Sequence, residues 1–271
     1  MKIAISNIAW NKGEDKAVLL LLKKYSIPGI EVAPSKVWDK PTQKPDQSIK
    51  EYKHLWERKG IAIAATQSVL FGHPELLIFG SDEKRSQTLL YIKEMIRVSA
   101  LLGAGVVVFG SPKNRDMLDM KKNDALDIAS NFFYEVGEIA KAHNLFFCIE
   151  PTPKEYGTNF VNNTTEAIGL VKLVNHPYFR IHLDSGALTL SQENYKKAIT
   201  TAFPYLKHFH ISEKNLLPIG KTPVDHKKIA KILCELQYDR WVSIEMKATR
   251  RMGNEKNVED ALKLVSAIYS S

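Results

Sequence analysis

Four apolar segments in the second half of this 271-residue sequence end on a side chain that can bind a cation or move a proton. They are Glu150 in FFCIE, Asp184 in RIHLD, His210 in KHFHI and Glu245 in WVSIE. Successive members lie 34, 26 and 35 positions apart, so no local motif joins them. They meet only if the segments are strands whose ends converge. Three carboxylates and one imidazole make a hard, oxygen-rich donor set, which suits Mn, Mg, Co or Zn as a divalent ion. Four ligands around an octahedral ion leave two positions for adjacent substrate oxygens. A lone Asp or Glu at a strand end usually caps the next helix or pairs with a Lys. The recurrence at four strand ends is what points to a single divalent metal.

Alternation along a strand extends this expectation one layer down. If Glu150, Asp184, His210 and Glu245 point inward, so do Cys148, His182, His208 and Ser243. His182 and His208 are then placed to orient the metal-binding side chains from beneath. A hydrogen-bonded polar core layer without a chemical role is the competing reading. Other residues fall at the same end of the predicted strands. Glu31 ends the second strand and is a candidate for binding substrate hydroxyls, with a structural ion pair as the alternative. Trp10, Trp38, Phe71 and Tyr156 offer aromatic walls against which a substrate could pack, with loop packing as the alternative. The segment GSPKNR carries Lys113 and Arg115, which would pair with a phosphate or carboxylate if the loop faces the mouth.

The elements needed to position these residues can be read along the chain. Strand-like runs cover Lys2–Ser6, Gly29–Val32, Ile61–Thr66, Gly105–Phe109, Leu145–Glu150, Phe179–Asp184, Leu206–Ile211 and Trp241–Glu245. Several are continuously apolar, as buried parallel strands are. Helical patterns lie between them: 16–25, 47–59, 82–102, 125–143, 165–174, 193–203, 225–237 and 258–269. Ser81 is expected to cap the third helix and Gly103 to end it, with Thr164 capping the fifth. Strand starts recur every 27 to 44 residues without a break in composition. Eight such units in one chain predict an α/β fold, a single (β/α)8 TIM barrel spanning 1–271 as one domain.

Composition bounds the rest. Hydrophobic residues at 44% and charged residues at 25% are the balance of a soluble globular protein. The longest apolar run, Ala17–Leu22, is far too short to span a bilayer. The N-terminal MKIAISN has no apolar leader core, and two cysteines cannot build a disulfide framework. These features predict a cytoplasmic protein with no membrane partner; an oligomer is compatible with them. The formal net charge of +8 is scattered over amphipathic segments, which predicts a solvated surface and no nucleic-acid partner.

The residue set Glu150, Asp184, His210, Glu245 resembles the metal site of the xylose isomerase-like TIM barrels, the sugar phosphate isomerase/epimerase and AP endonuclease family 2 type. The likeness continues through GIEVAP, QSVLFG, LGAGVVVFGSPKNR, IEPTPKEYGTNF, HLDSGAL, HFHISEKN and PVDHKKIAKILCELQYDRWVSIE, in that order. It implies a metal-dependent isomerase or epimerase acting on a sugar or sugar phosphate ketose. Glu150 and Glu245 would then be catalytic, moving a proton through a cis-enediolate, with Asp184 and His210 acting mainly as ligands. It also implies alternatives: an inosose dehydratase-like lyase, an endonuclease IV-like phosphodiesterase, or a barrel that binds sugar without turning it over. Two positions depart from the ketose 3-epimerases of the family, with Ala187 in place of a His and Leu216 in place of an Arg; Lys214 or Asn215 is the expected substitute contact. Gln67, Gly110 and Ala187 fall near the places where endonuclease IV has further histidines, so Gln67 is expected to face substrate instead. Asp225 and His226 resemble that enzyme's later ligands, with a helix cap as the plainer role.

Overall fold

The computed structural model describes residues 1–249 and 251–270. Eight strands, β1 Lys2–Ser6, β2 Gly29–Val32, β3 Ala62–Thr66, β4 Val106–Phe109, β5 Phe146–Ile149, β6 Phe179–Asp184, β7 Leu206–Ser212 and β8 Trp241–Glu245, close into one barrel in sequence order. All neighbouring pairs are parallel, and β1 pairs with β8 to complete the ring. The expected (β/α)8 barrel is therefore the observed fold. Two short helices, Pro34–Val37 and Ser185–Leu190, add to the regular alternation directly after β2 and β6.

The pleat divides the strands into two faces. Ile3, Ile5, Val107, Phe109, Phe147, Ile149, Phe179, Leu183, Phe209, Val242 and Ile244 join one continuous buried core with the inner faces of the helices. Each such side chain contributes about 1.5–3 kcal/mol of burial free energy. Ala65, Val106, Val108 and Cys148 form a separate buried cluster, the barrel's own interior. Cys148 thus points inward, as alternation from Glu150 requires. Two register shifts interrupt the pleat, between Ile30 and Glu31 against β3 and between Ile181 and His182 against β7. A shift of one residue changes which face a side chain occupies.

The helix ends follow the local chemistry. Ser81 accepts from the Lys84 amide at the start of helix Asp82–Leu102, and Gly103 closes it in the left-handed region at φ 79°. In helix Thr164–Val174 the cap is Asn163, which accepts from the Glu166 amide; Thr164 is instead the first helical residue. Asp225 caps helix His226–Glu235 through the Lys228 amide, and His226 bonds to Glu213, so this pair serves the helix start. Among the described residues no helix is long and apolar enough to cross a membrane.

Candidate metal and substrate site

Barrel closure carries the four strand-end residues to one mouth. Donor atoms of Glu150, Asp184 and His210 all lie within 4.8 Å of one another. Glu245 brings Oε2 to 3.2 Å from His210 Nδ1, and Asp184 Oδ2 stands 4.0 Å from the same nitrogen. Because β6 and β7 lie between β5 and β8 in the ring, Asp184 and His210 sit between the two glutamates. Asp184 does two jobs: Oδ1 accepts from the Ala187 amide at 2.6 Å, capping Ser185–Leu190, while Oδ2 is buried with no hydrogen-bond partner in the structure.

Glu150 owes its position to a missing side chain. A Cβ on Gly110 would lie 2.5 Å from Glu150 Oε2. Glycine at the end of β4 thus leaves the space that the β5 carboxylate fills. Arg115 secures the backbone of the same strand end. It is fully buried and donates through Nη2 to the Glu150 carbonyl at 2.7 Å and to the Thr152 hydroxyl.

Crowding of like charge sets the electrostatics. Burial, then repulsion from Glu245 and Asp184, pushes the Glu150 carboxyl up to about 8. Asp184 is pushed up to about 6 by burial and by Glu245. His210 is buried, which opposes its charge, yet Glu31 and Glu245 raise it well above the ordinary imidazole range. Arg115 is lowered to about 10 by burial, against the pull of Glu150.

A layer beneath this cluster holds His210. His210 donates through Nε2 to both oxygens of Glu31, at 3.1 and 3.0 Å, and His208 Nε2 donates to Glu31 Oε2 at 3.2 Å. Glu31 is fully buried; burial opposes its charge, but His210 and His208 hold its carboxyl well below the ordinary range. His182 packs edge-on against His210 at 4.0 Å between ring centroids, and neither of its nitrogens has a hydrogen-bond partner in the structure. His208 therefore reaches the cluster through Glu31, and His182 through ring packing. Ser243 is buried in the same interior.

Above the cluster opens a cavity of about 500 Å³, whose lining includes Glu150, Glu245, Gln67, Tyr156, Asn215 and Lys247. Gln67 and Tyr156 thus face it. The remaining sequence expectations need correction. Glu31 is not a mouth residue: flanked by Ile30 and Val32 of the outer core, it points into the barrel, where it is fully buried and bonded to two imidazoles. Trp10 is buried, donates from Nε1 to Asp15 at 2.7 Å, and lines a different cavity with Trp38. Arg115 is fully buried and turns to the Glu150 carbonyl and the Thr152 hydroxyl, and it does not line the cavity. Lys113 and Lys214 are exposed and lie outside the cavity lining. Lys247, two residues past Glu245, does line it and carries no strand or helix signal that would single it out. Asn215 and Leu216 line it as well, although the adjacent Lys214 does not.

Comparison with known proteins agrees with this architecture. The family described as xylose isomerase-like TIM barrel matches residues 19–268. A curated relative, the D-psicose 3-epimerase of Ruminiclostridium cellulolyticum, is 29% identical over 119 residues, which is 44% of this chain and 40% of that protein. The chain thus aligns with about two fifths of that relative's length. The crystal structure of D-psicose 3-epimerase with D-tagatose from Clostridium cellulolyticum H10 superposes with a TM-score of 0.81, covering 99% of both chains at 18% identity. The apo 3-keto-D-glucoside 4-epimerase of E. coli gives 0.81, covering 98% of this chain and 99% of its own at 17% identity. At such identities the superpositions establish a shared fold. The family match, spanning nearly the whole chain, establishes membership: this protein belongs to the xylose isomerase-like TIM barrel family.

Proposed function

We propose that this protein is a metal-dependent epimerase or isomerase of a ketose or ketose-like sugar. The observation that carries the reading is the placement of Glu150 and Glu245 on either side of Asp184 and His210 at one cavity. Inversion at a carbon needs a base on one face and an acid on the other. The names of the aligned relatives, D-psicose 3-epimerases, favour epimerisation over other chemistry.

The residues fit a divalent cation. Asp184 Oδ2 is buried without a hydrogen-bond partner among the described residues, and buried His210 Nδ1 meets the carboxylates of the cluster, Glu245 at 3.2 Å and Asp184 at 4.0 Å. Three carboxylates converge there; burial together with Glu245 and Asp184 raises the proton affinity of Glu150, and burial together with Glu245 raises that of Asp184. Glu150, Asp184, His210 and Glu245 would hold one ion, and their hard donors suit Mn, Mg, Co or Zn. When bound, such an ion would polarise the substrate carbonyl and acidify the C–H beside it.

The chain's own groups do the rest. One glutamate removes the proton from the carbon beside the carbonyl; the other returns a proton to the opposite face of the enediolate. Asp184 and His210 hold position, one fixed by the Ala187 amide and the other by Glu31. Enclosure in the cavity strengthens each charge interaction over its value in water. The partner is a small sugar and not a nucleic acid.

The test is a ketose panel with metal-loaded protein in deuterated water, scored for deuterium beside the carbonyl. Glu150→Gln and Glu245→Gln are each expected to bind metal at raised concentration and lose at least about 10²-fold in turnover. One of them is expected to wash deuterium into a single epimer without conversion. Near-parental turnover by both metal-loaded variants would discard the two-glutamate mechanism. Loss of water in place of proton exchange would make the enzyme a lyase.

A further inference from the structure

The outer wall of the cavity is built from strained loops stitched together across the barrel mouth. Ser68 after β3, Ser111 after β4, and Asn215 and Leu216 after β7 all line it with left-handed backbone, at φ 55°, 37°, 58° and 55°. Non-glycine residues adopt this region at a cost and recur in it at ligand-binding sites. The wall is pinned by long-range bonds: the Asn215 amide donates to the Tyr156 hydroxyl at 3.0 Å, and the Lys247 amide donates to the Leu216 carbonyl at 2.9 Å. The loops after β5, β7 and β8 are thereby joined.

The cavity lining carries side chains of both charges. Its acidic lining residues, Glu150 and Glu245, belong to the metal cluster, and Lys247 is the single basic side chain among the lining residues. Lys247 is exposed, and its ammonium has no ion-pair partner among the described residues. The two serines and Asn215 add short polar side chains to the same wall. An ammonium can donate to a neutral hydroxyl, but its bond to an ionised acceptor is about twice as strong, so this wall favours a substrate with a charged tail.

We propose that Lys247 selects a substrate bearing an anionic group, a phosphate monoester or a carboxylate, at the end remote from the reacting carbons. Ser68, Ser111 and Asn215 line the same cavity. The assignment rests on the proposed epimerase site for which end reacts, and its test is made independent of turnover.

The test uses three polyols without a carbonyl, which bind without reacting: D-arabinitol, D-arabinitol 5-phosphate and D-arabinonate. Each is titrated by calorimetry into the metal-loaded protein. One anionic ligand is expected to bind at least about tenfold tighter than the neutral one, the lower scale of a hydrogen bond to a charged group. The phosphate winning assigns a phosphosugar; the carboxylate winning assigns a sugar acid. Lys247→Met is expected to collapse the ratio to near unity, Lys247→Arg to keep it, and salt to weaken it. Equal affinity for all three, no binding by any at millimolar concentration, or a preference that survives Lys247→Met overturns the proposal. Failure of deuterium exchange would remove the epimerase reading and leave this binding result standing.

Discussion

Gly110→Ala isolates the geometry of the site from the stability of the fold. The added Cβ would meet Glu150 Oε2 at 2.5 Å, where ordinary contact begins near 3.4 Å. The shortfall requires the carboxylate to retreat by about 1 Å, a misplacement that can cost on the order of 10²-fold in rate. The obstructing atom is the end of a flexible side chain and φ at Gly110 is not in the left-handed region, so the fold can absorb the methyl. Stability is expected to stay within about 0.5 kcal/mol of the parent. Gly105→Ala, at the start of the same loop-to-strand segment, is the control, since nothing lies within 4 Å of its Cβ. Metal titration by calorimetry, thermal melts and kcat/KM on the confirmed substrate would be measured for both. Weaker metal binding and about 10²-fold lower kcat/KM are expected for Gly110→Ala alone. Parental metal affinity and turnover in Gly110→Ala would refute the claim that Glu150 must occupy that space.

Three further outcomes follow from the same geometry. Glu31→Gln leaves His210 Nε2 with a neutral partner and is expected to weaken metal affinity by about 10–100-fold, the usual effect of losing an outer-shell partner; unchanged affinity in a metal titration would separate Glu31 from the site. The metal-free protein is expected to lose thermal stability between pH 6.5 and pH 8: Glu150, raised to about 8, and His210, raised well above 6.5, bind protons more tightly folded than unfolded, so their contribution fades as pH rises through those folded values, while at lower pH His182, held well below 6.5 by burial, opposes the fading of Asp184, raised to about 6. Metal uptake in that window should release protons, detectable as a buffer-dependent binding heat, and a melt that rises with pH would contradict the sign. Abasic duplex DNA is expected to survive incubation with protein at stoichiometric metal, because the Gln67 amide is committed to Ser6 Oγ at 2.6 Å and Gly110 and Ala187 offer no donor; robust strand cleavage would contradict this.

The sequence determines the barrel and the four residues at its mouth for one physical reason. Alternation fixes which face a strand residue takes, and closure of parallel strands gathers their ends, so Glu150, Asp184, His210 and Glu245 needed no knowledge of distant contacts. The inward turn of Cys148 and the burial of His182 and His208 follow from the same rule. What the tertiary structure decided lies beyond that rule, in which partners the inward side chains and the loops meet. Glu31 is a clamp on His210 and His208 and not a substrate contact, a role that depends on pairing across the barrel interior to partners 177 and 179 positions away. In the loops, a basic residue's neighbours in sequence say little about its direction. Arg115 turns inward to the Glu150 carbonyl, while Lys113 and Lys214 lie outside the cavity that Lys247 lines. Those directions are set by left-handed turns at non-glycine residues and by bonds between loops, such as the Asn215 amide to Tyr156, 59 positions away. Such turns carry no glycine to mark them, and such bonds have no periodicity; they exist only once the barrel has brought its loops together.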